Sequence, residues 1–306
     1  MENKKINSLI GEIENSLRPI IEDDTTRKQY AWWTLESILK HNKLSLMVQE
    51  NISLTNDQQT LIHTWIDKMV NEHMPIAYLI GSVPFCDVDI LVEPPILIPR
   101  PETEEWTTNL IEKLQKLENK SLTILDLCSG SGCIALAMAK ALPQSKIYAA
   151  DISEKAIALG QKNALHNKIT NITFMHSDLF NELDTATLFD IIVSNPPYIS
   201  FDEFEELDAS VSTWEDKQAL VADDLGTAII KDIIDQASDF LKNNNELITK
   251  KIPQVTIEIG YKQGTIVQDI MHTAGYKNVL VLKDLEGKDR VVTGNFINEV
   301  LEQAKA

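Results

Sequence analysis

Ile124-Leu-Asp126-Leu-Cys128-Ser-Gly130-Ser-Gly132 carries the chain out of an apolar, strand-like run and into two closely spaced glycines. Cys133 to Ala141 follows as a run of good helix formers. A strand, a glycine turn and a helix in that order let the backbone turn tightly and bring a helix N-terminus, with its free N–H groups, up to a ligand. The spacing Gly130-x-Gly132-x-x-Ala135 by itself also fits a nicotinamide-binding loop, so its neighbours must decide the reading.

Downstream the same alternation continues. Thr123 to Leu127 and Lys146 to Ala150 read as strands, with a helix over Ser153 to His166. Ile172 to Met175, Phe189 to Val193 and Gln254 to Ile259 follow as strands, with helices over Leu225 to Leu241 and Gly264 to Ala274. Val279 to Leu282 and Arg290 to Thr293 close the pattern with strands, and Asn243-Asn-Asn245 reads as an exposed loop. Such alternation implies an α/β fold, a largely parallel, Rossmann-like sheet with helices on both faces.

Upstream the pattern differs. Ile6, Leu9, Ile10, Ile13 and Leu17 recur at helical spacing, a second helix fits Thr26 to Lys40, and Thr55-Asn-Asp-Gln58 has the form of a capping box opening a third. Within the second, Tyr30, Trp33, Leu35, Ile38 and Leu39 supply apolar surface. These predict a small helical domain over residues 1–75, with no catalytic pattern. Tyr78-Leu-Ile-Gly81 and Val88-Asp-Ile-Leu-Val92 are β-like and suggest a hairpin over 76–98 that connects it to a main domain at 99–306. Pro101 then suits the first position of a helix, and Glu102, Glu104 and Glu105 its positive end.

Three acids end three successive strands. Asp126, beside the loop, could meet the ammonium or ribose end of a zwitterionic cofactor. Asp151 could accept hydrogen bonds from two ribose hydroxyls, and Asp178, in Ser177-Asp-Leu-Phe180, from an adenine amino group. A nicotinamide site would explain the loop and Asp151, but not the next motif.

That motif is Asn195-Pro196-Pro197-Tyr198, directly after an apolar strand. An amide nitrogen is a poor nucleophile because its lone pair is delocalised. The Asn195 side-chain oxygen and the Pro196 carbonyl could hold both its hydrogens and orient it, the prolines stiffening the backbone and adding no competing N–H. Tyr198 offers a flat face to a planar amide. The matching electrophile is a methyl group on a sulfonium, which makes catalysis a matter of alignment and of acceptors that strengthen as the nitrogen becomes positive.

Bulk properties weigh against a bare nucleic-acid substrate. Among 306 residues the net charge is −18, of which −3 falls in residues 1–80 and −15 in the remainder. An acidic body without a long basic stretch repels a phosphate backbone, so no direct nucleic-acid partner is expected. No apolar run is long enough to cross a bilayer, and the N-terminus has neither a signal nor a transit pattern, which gives a cytoplasmic expectation and no membrane partner. Cys86, Cys128 and Cys133 form neither a disulfide framework nor a metal motif, so no metal is expected.

From about residue 25 onward the chain resembles the release-factor glutamine N5-methyltransferase family. The resemblance rests on Pro75-Ile-Ala-Tyr-Leu-Ile-Gly81, Phe85, Leu97-Ile-Pro-Arg-Pro-Glu-Thr-Glu104, Asp126 to Gly132, Asp151, Ser177 to Phe180, Asn195 to Tyr198 and Glu258-Ile-Gly260. It implies a class I methyltransferase sheet with an antiparallel last strand, S-adenosyl-L-methionine as cofactor, and a helical N-terminal domain that docks a peptide chain release factor; a monomer is expected. It further implies that Cys128, Ser129, Gly130, Ser131, Gly132, Asp151, Asp178, Leu179 and Asn195 contact the cofactor. Asn195, Pro196, Pro197 and Tyr198 would hold the glutamine of the factor's Gly-Gly-Gln loop. The chain departs from the family pattern at Cys128, commonly the first glycine of the loop, and at Glu215-Asp216, usually Glu-Pro. It departs again at Asp223-Asp-Leu-Gly226 and in a longer stretch from Asn243 to Pro253. Cysteine at 128 is frequent in a sister family acting on a ribosomal protein, which keeps that substrate open. N-methylation of an exocyclic amino group in nucleic acid is the other alternative, since a flipped base could use the same acceptors.

Overall fold

The computed structural model describes residues 2–49 and 51–297. The chain divides into two compact units, one running up to Ser82 and taking in Asp208–Trp214, the other comprising Val83–Leu207 and the chain from Glu215 onward.

The first unit holds strands β1 (Glu2–Lys5) and β2 (Asn51–Leu54), paired antiparallel, and helices α1 (Ile6–Leu17), α2 (Asp24–Leu39), α3 (Lys43–Met47), α4 (Asn56–Asn71) and α5 (Ile76–Ile80). All five periodic residues of α1 are buried. Asp23 caps α2 by accepting from Thr26 N at 2.6 Å, so the helix starts earlier than Thr26. On α2 it is Ala31, Trp32, Leu35 and Ile38 that pack inward, while Trp33, expected inside, is 41% exposed. The Thr55 capping box forms with both bonds, Gln58 N to Thr55 Oγ1 at 3.2 Å and Thr55 N to Gln58 Oε1 at 3.0 Å. These elements close a core of their own around Leu17, Leu35, Leu46, Leu54 and Met69. Residues 78–81 are not a strand. Pro75 opens α5 and Gly81, at φ +87°, closes it, so terminal chemistry overrides the β-prone composition of Tyr78-Leu-Ile80. The downstream segment is anchored within this unit by Trp214, whose Nε1 donates to the Glu72 carbonyl at 2.8 Å.

The second unit begins with the hairpin β3 (Ser82–Phe85) and β4 (Val88–Leu91), shorter than the span 76–98 expected for it. Then come α6 (Pro101–Leu114), β5 (Thr123–Leu127), α7 (Cys133–Ala141), β6 (Lys146–Asp151), α8 (Glu154–His166), β7 (Ile172–His176) and β8 (Ile191–Ser194). Four single turns, α9 (Phe201–Phe204), α10 (Ala209–Ser212), α11 (Lys217–Leu220) and α12 (Asp223–Gly226), precede α13 (Ala228–Ala237). α10 falls in the segment that joins the first unit. The chain ends with α14 (Asn245–Thr249), β9 (Val255–Glu258), α15 (Gly264–Thr273), β10 (Lys277–Lys283) and β11 (Asp289–Asn295). The helix expected from Leu225 starts only at Ala228, because Asp224 and Leu225 take left-handed backbone at φ +53° and +57°. The Asn243–Pro253 stretch is not an open loop: Asn244 caps α14, and Leu247 buries beneath it.

Seven strands form one sheet in the order β10-β11-β9-β8-β5-β6-β7. β5 to β9 are parallel, and β11 runs antiparallel to both β9 and β10. This is the class I methyltransferase sheet with its antiparallel last strand. Every residue of β8 and β9 is buried, as expected where helices cover both faces. β5 is the middle one of the five parallel strands: the chain proceeds from it to β6 and β7 on one side, then returns to β8 and β9 on the other. That reversal opens a crevice at the carboxyl ends of β5 and β8, where open α/β sheets bind ligands.

Candidate active site

The loop after β5 turns through three left-handed residues, Cys128 (φ +56°), Gly130 (+54°) and Gly132 (+80°). It is closed by Gly132 N to Ser129 O at 2.8 Å and tied to β6 by Ser129 N to Ala150 O at 3.1 Å. Gly132 starts α7, and a Cβ there would stand 3.1 Å from the Phe174 ring. Position 128 takes a conformation that suits glycine, and this chain puts a cysteine there, with its thiol pKa raised by burial.

Asp151 faces the loop. Its Oδ2 accepts from Gly130 N and its Oδ1 from Ser153 N, both at 2.8 Å. One N–H per oxygen leaves acceptor capacity on each. Burial raises its pKa above the usual aspartate value, and the two backbone bonds oppose that shift. A cavity of about 190 Å³ opens here, walled by Asp151, Asp178, Leu179, Cys128, Gly130, Asn195 and Pro197. Ile96, Leu97, Ala150, Val221 and Ile229 make it largely apolar. A second space of about 30 Å³ shares Leu97, Cys128, Gly130 and Asn195 with it and adds Ser129, Ser131, Arg100 and Thr103. Asn195 therefore stands where the two meet.

Asp126 is placed differently from the other acids. It is completely buried and lines neither space; its Oδ2 accepts from Ala135 N in the first turn of α7 at 3.1 Å. This bond ties β5 to α7 and sets Asp126 back from both cavities, unlike Asp151 and Asp178. Its Oδ1 has no hydrogen-bond partner among the described residues, and burial pushes its pKa well up. Gly132 likewise lines neither space and serves the turn. Asp178 is exposed at the mouth, its N–H donating to Glu182 at 2.7 Å.

Behind Asn195 lies a polar cluster that the sequence did not announce. Asn195 Nδ2 donates to Thr103 Oγ1 at 3.2 Å, and Thr103 Oγ1 donates to Glu258 Oε2 at 2.7 Å. Trp106 Nε1 donates to the same Oε2 at 2.8 Å, and Tyr198 Oη to Oε1 at 3.3 Å. Glu258 is 1% exposed; burial raises its pKa while the Trp106 and Thr103 bonds pull it back. The Tyr198 hydroxyl is pushed up by burial and by the nearby Glu258 charge. The Tyr198 carbonyl accepts from Gln263 Nε2 at 2.8 Å, and the same nitrogen reaches Leu225 O at 2.9 Å. Gly226, at φ +82°, lies so close that a Cβ would sit 2.0 Å from that carbonyl oxygen. The Asn195–Tyr198 turn is therefore braced on both sides, with Pro196 buried beneath it.

One wall of the larger cavity is the segment Glu215 to Val221, held down by Asp216 N to Pro95 O at 2.8 Å and by Glu215, which pairs with Arg100 and accepts from Ile98 N. Of the residues singled out in the sequence, Cys128, Gly130, Asp151, Asp178, Leu179, Asn195 and Pro197 meet around the larger space, and Ser129 and Ser131 join at the smaller. Thr103 and Glu258 fall within the Arg-Pro-Glu-Thr-Glu and Glu-Ile-Gly motifs, which by themselves give neither residue a role. Trp106, Gln263, Asp216 and Gly226 carry no motif of their own, since contacts across 28 to 152 residues leave no local pattern to read.

The donors and acceptors fit S-adenosyl-L-methionine. Asp151 offers two acceptors as a ribose diol requires, apolar walls suit a purine, and the buried Ser129 Oγ at the smaller space has no partner among the described residues. No cluster of His, Cys, Asp or Glu able to hold a metal occurs among the described residues, and none of their helices is long and apolar enough to cross a membrane.

Comparison with known proteins agrees. Residues 101–210 match the family model described as "Methyltransferase small domain". A release factor glutamine methyltransferase from Lactococcus lactis is 38% identical over 272 residues, covering 89% of this chain and 94% of its own. One from Salmonella typhimurium is 35% identical over 288 residues, covering 94% and 97%. Among solved structures, the hMettl16 catalytic domain in complex with an MAT2A 3'UTR hairpin superposes with a TM-score of 0.51 over 88% of this chain and 92% of that one, at 12% identity, a likeness of fold alone. With relatives this similar over nearly its whole length, and the sheet and crevice that the fold requires, the chain belongs to the release factor glutamine methyltransferase family.

Proposed function

We propose that the chain transfers the methyl group of S-adenosyl-L-methionine to the side-chain amide nitrogen of the glutamine in the Gly-Gly-Gln loop of a peptide chain release factor. The observation that carries this reading is Asn195 at the junction of the two spaces, its Nδ2 turned back to Thr103 so that Oδ1 is the end available to a ligand. The relatives' shared name supports the choice of substrate protein.

When bound, the cofactor supplies an electrophilic methyl group on a sulfonium. Asp151 would take the ribose hydroxyls, the loop Cys128–Ser131 would hold the cofactor's amino-acid end, and Leu179 and Ile229 would offer apolar surface to the base. Asn195 Oδ1 and the Pro196 carbonyl accept the two hydrogens of the glutamine amide, and Tyr198 supports its plane. Both acceptors bind more strongly as the nitrogen gains positive charge, so they favour the transition state over the ground state. No base is required before transfer, because the proton leaves readily afterwards.

The helical unit is assigned to gripping the release factor. It has its own core and carries exposed Leu44 and Val48 on and beside α3. We further take the enzyme as a cytoplasmic monomer that does not bind nucleic acid directly, in keeping with its net charge of −18. Incubation of the protein with isotope-labelled cofactor and a purified release factor, followed by mass spectrometry of the Gly-Gly-Gln peptide, tests the assignment. Label on that glutamine is the expected result; an unlabelled release factor, with label on ribosomal protein or nucleic acid in parallel incubations, would redirect it.

A further inference from the structure

Glu258 receives three hydrogen bonds at the end of β9, and their direction has a chemical consequence. An ionised carboxylate only accepts, and an indole N–H only donates. The Thr103 hydroxyl proton is therefore committed to Glu258 Oε2, at 2.7 Å, beside the Trp106 N–H at 2.8 Å. With its proton spent, Thr103 Oγ1 can only accept from Asn195, 3.2 Å away. The atom of Asn195 facing Thr103 must then be Nδ2. An asparagine amide is nearly symmetric in shape, so its orientation is set by such a network and not by packing. On the other side, Tyr198 Oη is held at 3.3 Å by the second oxygen of the same carboxylate.

We infer that Thr103 and Glu258 are positioning residues that set the polarity of the amide clamp: the Glu258 acceptor oxygen takes the Thr103 hydroxyl proton, and Thr103 then takes the Asn195 NH2 group, which turns the Asn195 oxygen towards the incoming glutamine. Reversed, Asn195 would present a donor to a donor and the clamp would repel the nucleophile's hydrogens. The inference rests on the proposed amide substrate for its catalytic consequence, while the orientation itself does not depend on substrate.

The test compares Thr103→Val, which keeps the shape and loses the hydroxyl, with Thr103→Ser, which keeps the hydroxyl. For Thr103→Val, kcat on a release factor is expected to fall at least about tenfold, as for loss of a transition-state hydrogen-bonding group. Its Kd for S-adenosylmethionine and KM for the release factor should stay within about threefold of the parent, and Thr103→Ser should restore kcat. Glu258→Gln can keep its amide oxygen beneath Thr103 and Trp106 and turn its NH2 to Tyr198, so it should lose less than Thr103→Val. A readout free of any substrate is the nitrogen–proton NMR spectrum of the Asn195 side-chain amide and the Trp106 indole. Both should shift in Thr103→Val and stay close to the parent in Thr103→Ser.

Unchanged kcat with unchanged Asn195 resonances in Thr103→Val would overturn the inference. So would a tenfold loss of cofactor affinity without loss of kcat, which would make Thr103 a cofactor ligand, or a Thr103→Ser enzyme as slow as Thr103→Val, which would make its methyl group the important part. If Thr103→Val does not fold, Thr103→Ser and Glu258→Gln decide by the same spectra and rates, a shifted Asn195 amide in Thr103→Ser counting against the relay. If the parent enzyme methylates no release factor, the functional reading fails, while the spectra still decide the orientation.

Discussion

Replacing Asp151 with alanine removes one side chain from the cofactor cavity and has a size that can be worked out. Each carboxylate oxygen already accepts one backbone N–H, from Gly130 and from Ser153, and keeps room for one ribose hydroxyl. Hydrogen bonds to a charged group contribute about 1.5–3 kcal/mol each, so losing two costs roughly 3–6 kcal/mol, or about 10²- to 10⁴-fold in Kd. The loop also loses its ties, which places the expected result at the weaker-binding end. Only the ionised carboxylate accepts from both hydroxyls, and burial raises the Asp151 pKa above the usual aspartate value. Affinity of the parent should therefore fall as pH drops through that raised value, starting at a higher pH than an ordinary aspartate would give, and the alanine variant should show no such fall. The sign for stability is opposite. A carboxyl with a raised folded pKa costs stability at neutral pH, and the cost is relieved as pH falls towards the unfolded value. Alanine removes that cost together with two backbone bonds to a charged group of about 1.5–3 kcal/mol each, so the thermal unfolding temperature at neutral pH should fall, by less than the two bonds alone would give. Calorimetric titration with S-adenosylmethionine from pH 5 to 8 reads both effects. An unchanged Kd in a folded Asp151→Ala protein would refute the ribose assignment.

Three further variants bear on other parts of the structure. Gly226→Ala puts a Cβ 2.0 Å from the Tyr198 carbonyl oxygen at a φ of +82°, so stability should drop by about 2 kcal/mol or more in urea unfolding and kcat by at least about tenfold, with cofactor affinity kept. Cys128→Gly relieves a left-handed residue at φ +56° and should raise stability by about 1 kcal/mol in the same assay; a loss would mean that thiol packing outweighs backbone strain. Leu44→Asp with Val48→Asp alters side chains 77% and 83% exposed, so folding should change by no more than about 0.5 kcal/mol. KM for an intact release factor should then rise about tenfold while methylation of a short Gly-Gly-Gln peptide stays constant; equal rates on the intact factor would remove α3 from the docking surface.

What could be read from the residues beforehand follows from the range of the forces involved. The sheet was legible because β5 to β9 are short apolar runs with helical periods between them, and both patterns are local. The capping box at Thr55 and the five-residue stripe of α1 were legible for the same reason. Residues 78–80 misled because Tyr, Leu and Ile suit a strand, whereas Pro75 and Gly81, which decide the matter, act from the ends. In the candidate site, the residues that line the cavities come largely in contiguous motifs and stood out, as at 128–131 and at Asn195 and Pro197. Their supports did not. Thr103 and Glu258 lie 155 residues apart, and only the folded sheet brings the start of α6 against the end of β9. Asp126 shows the limit of motif reading in the other direction, since its position among the strand-end acids suggested a ligand, and the fold buries it against α7.

The most direct measurement uses two release factors that differ only at the loop glutamine, one parental and one changed to glutamate, in single-turnover methyl transfer followed by mass spectrometry. The clamp of Asn195 and Pro196 requires two N–H donors, which glutamine offers and glutamate lacks. Methylation of the glutamine nitrogen in the first factor, with none in the second, is the expected result. Equal labelling of the two factors, or labelling elsewhere on the protein, would contradict an amide-directed methyl transfer.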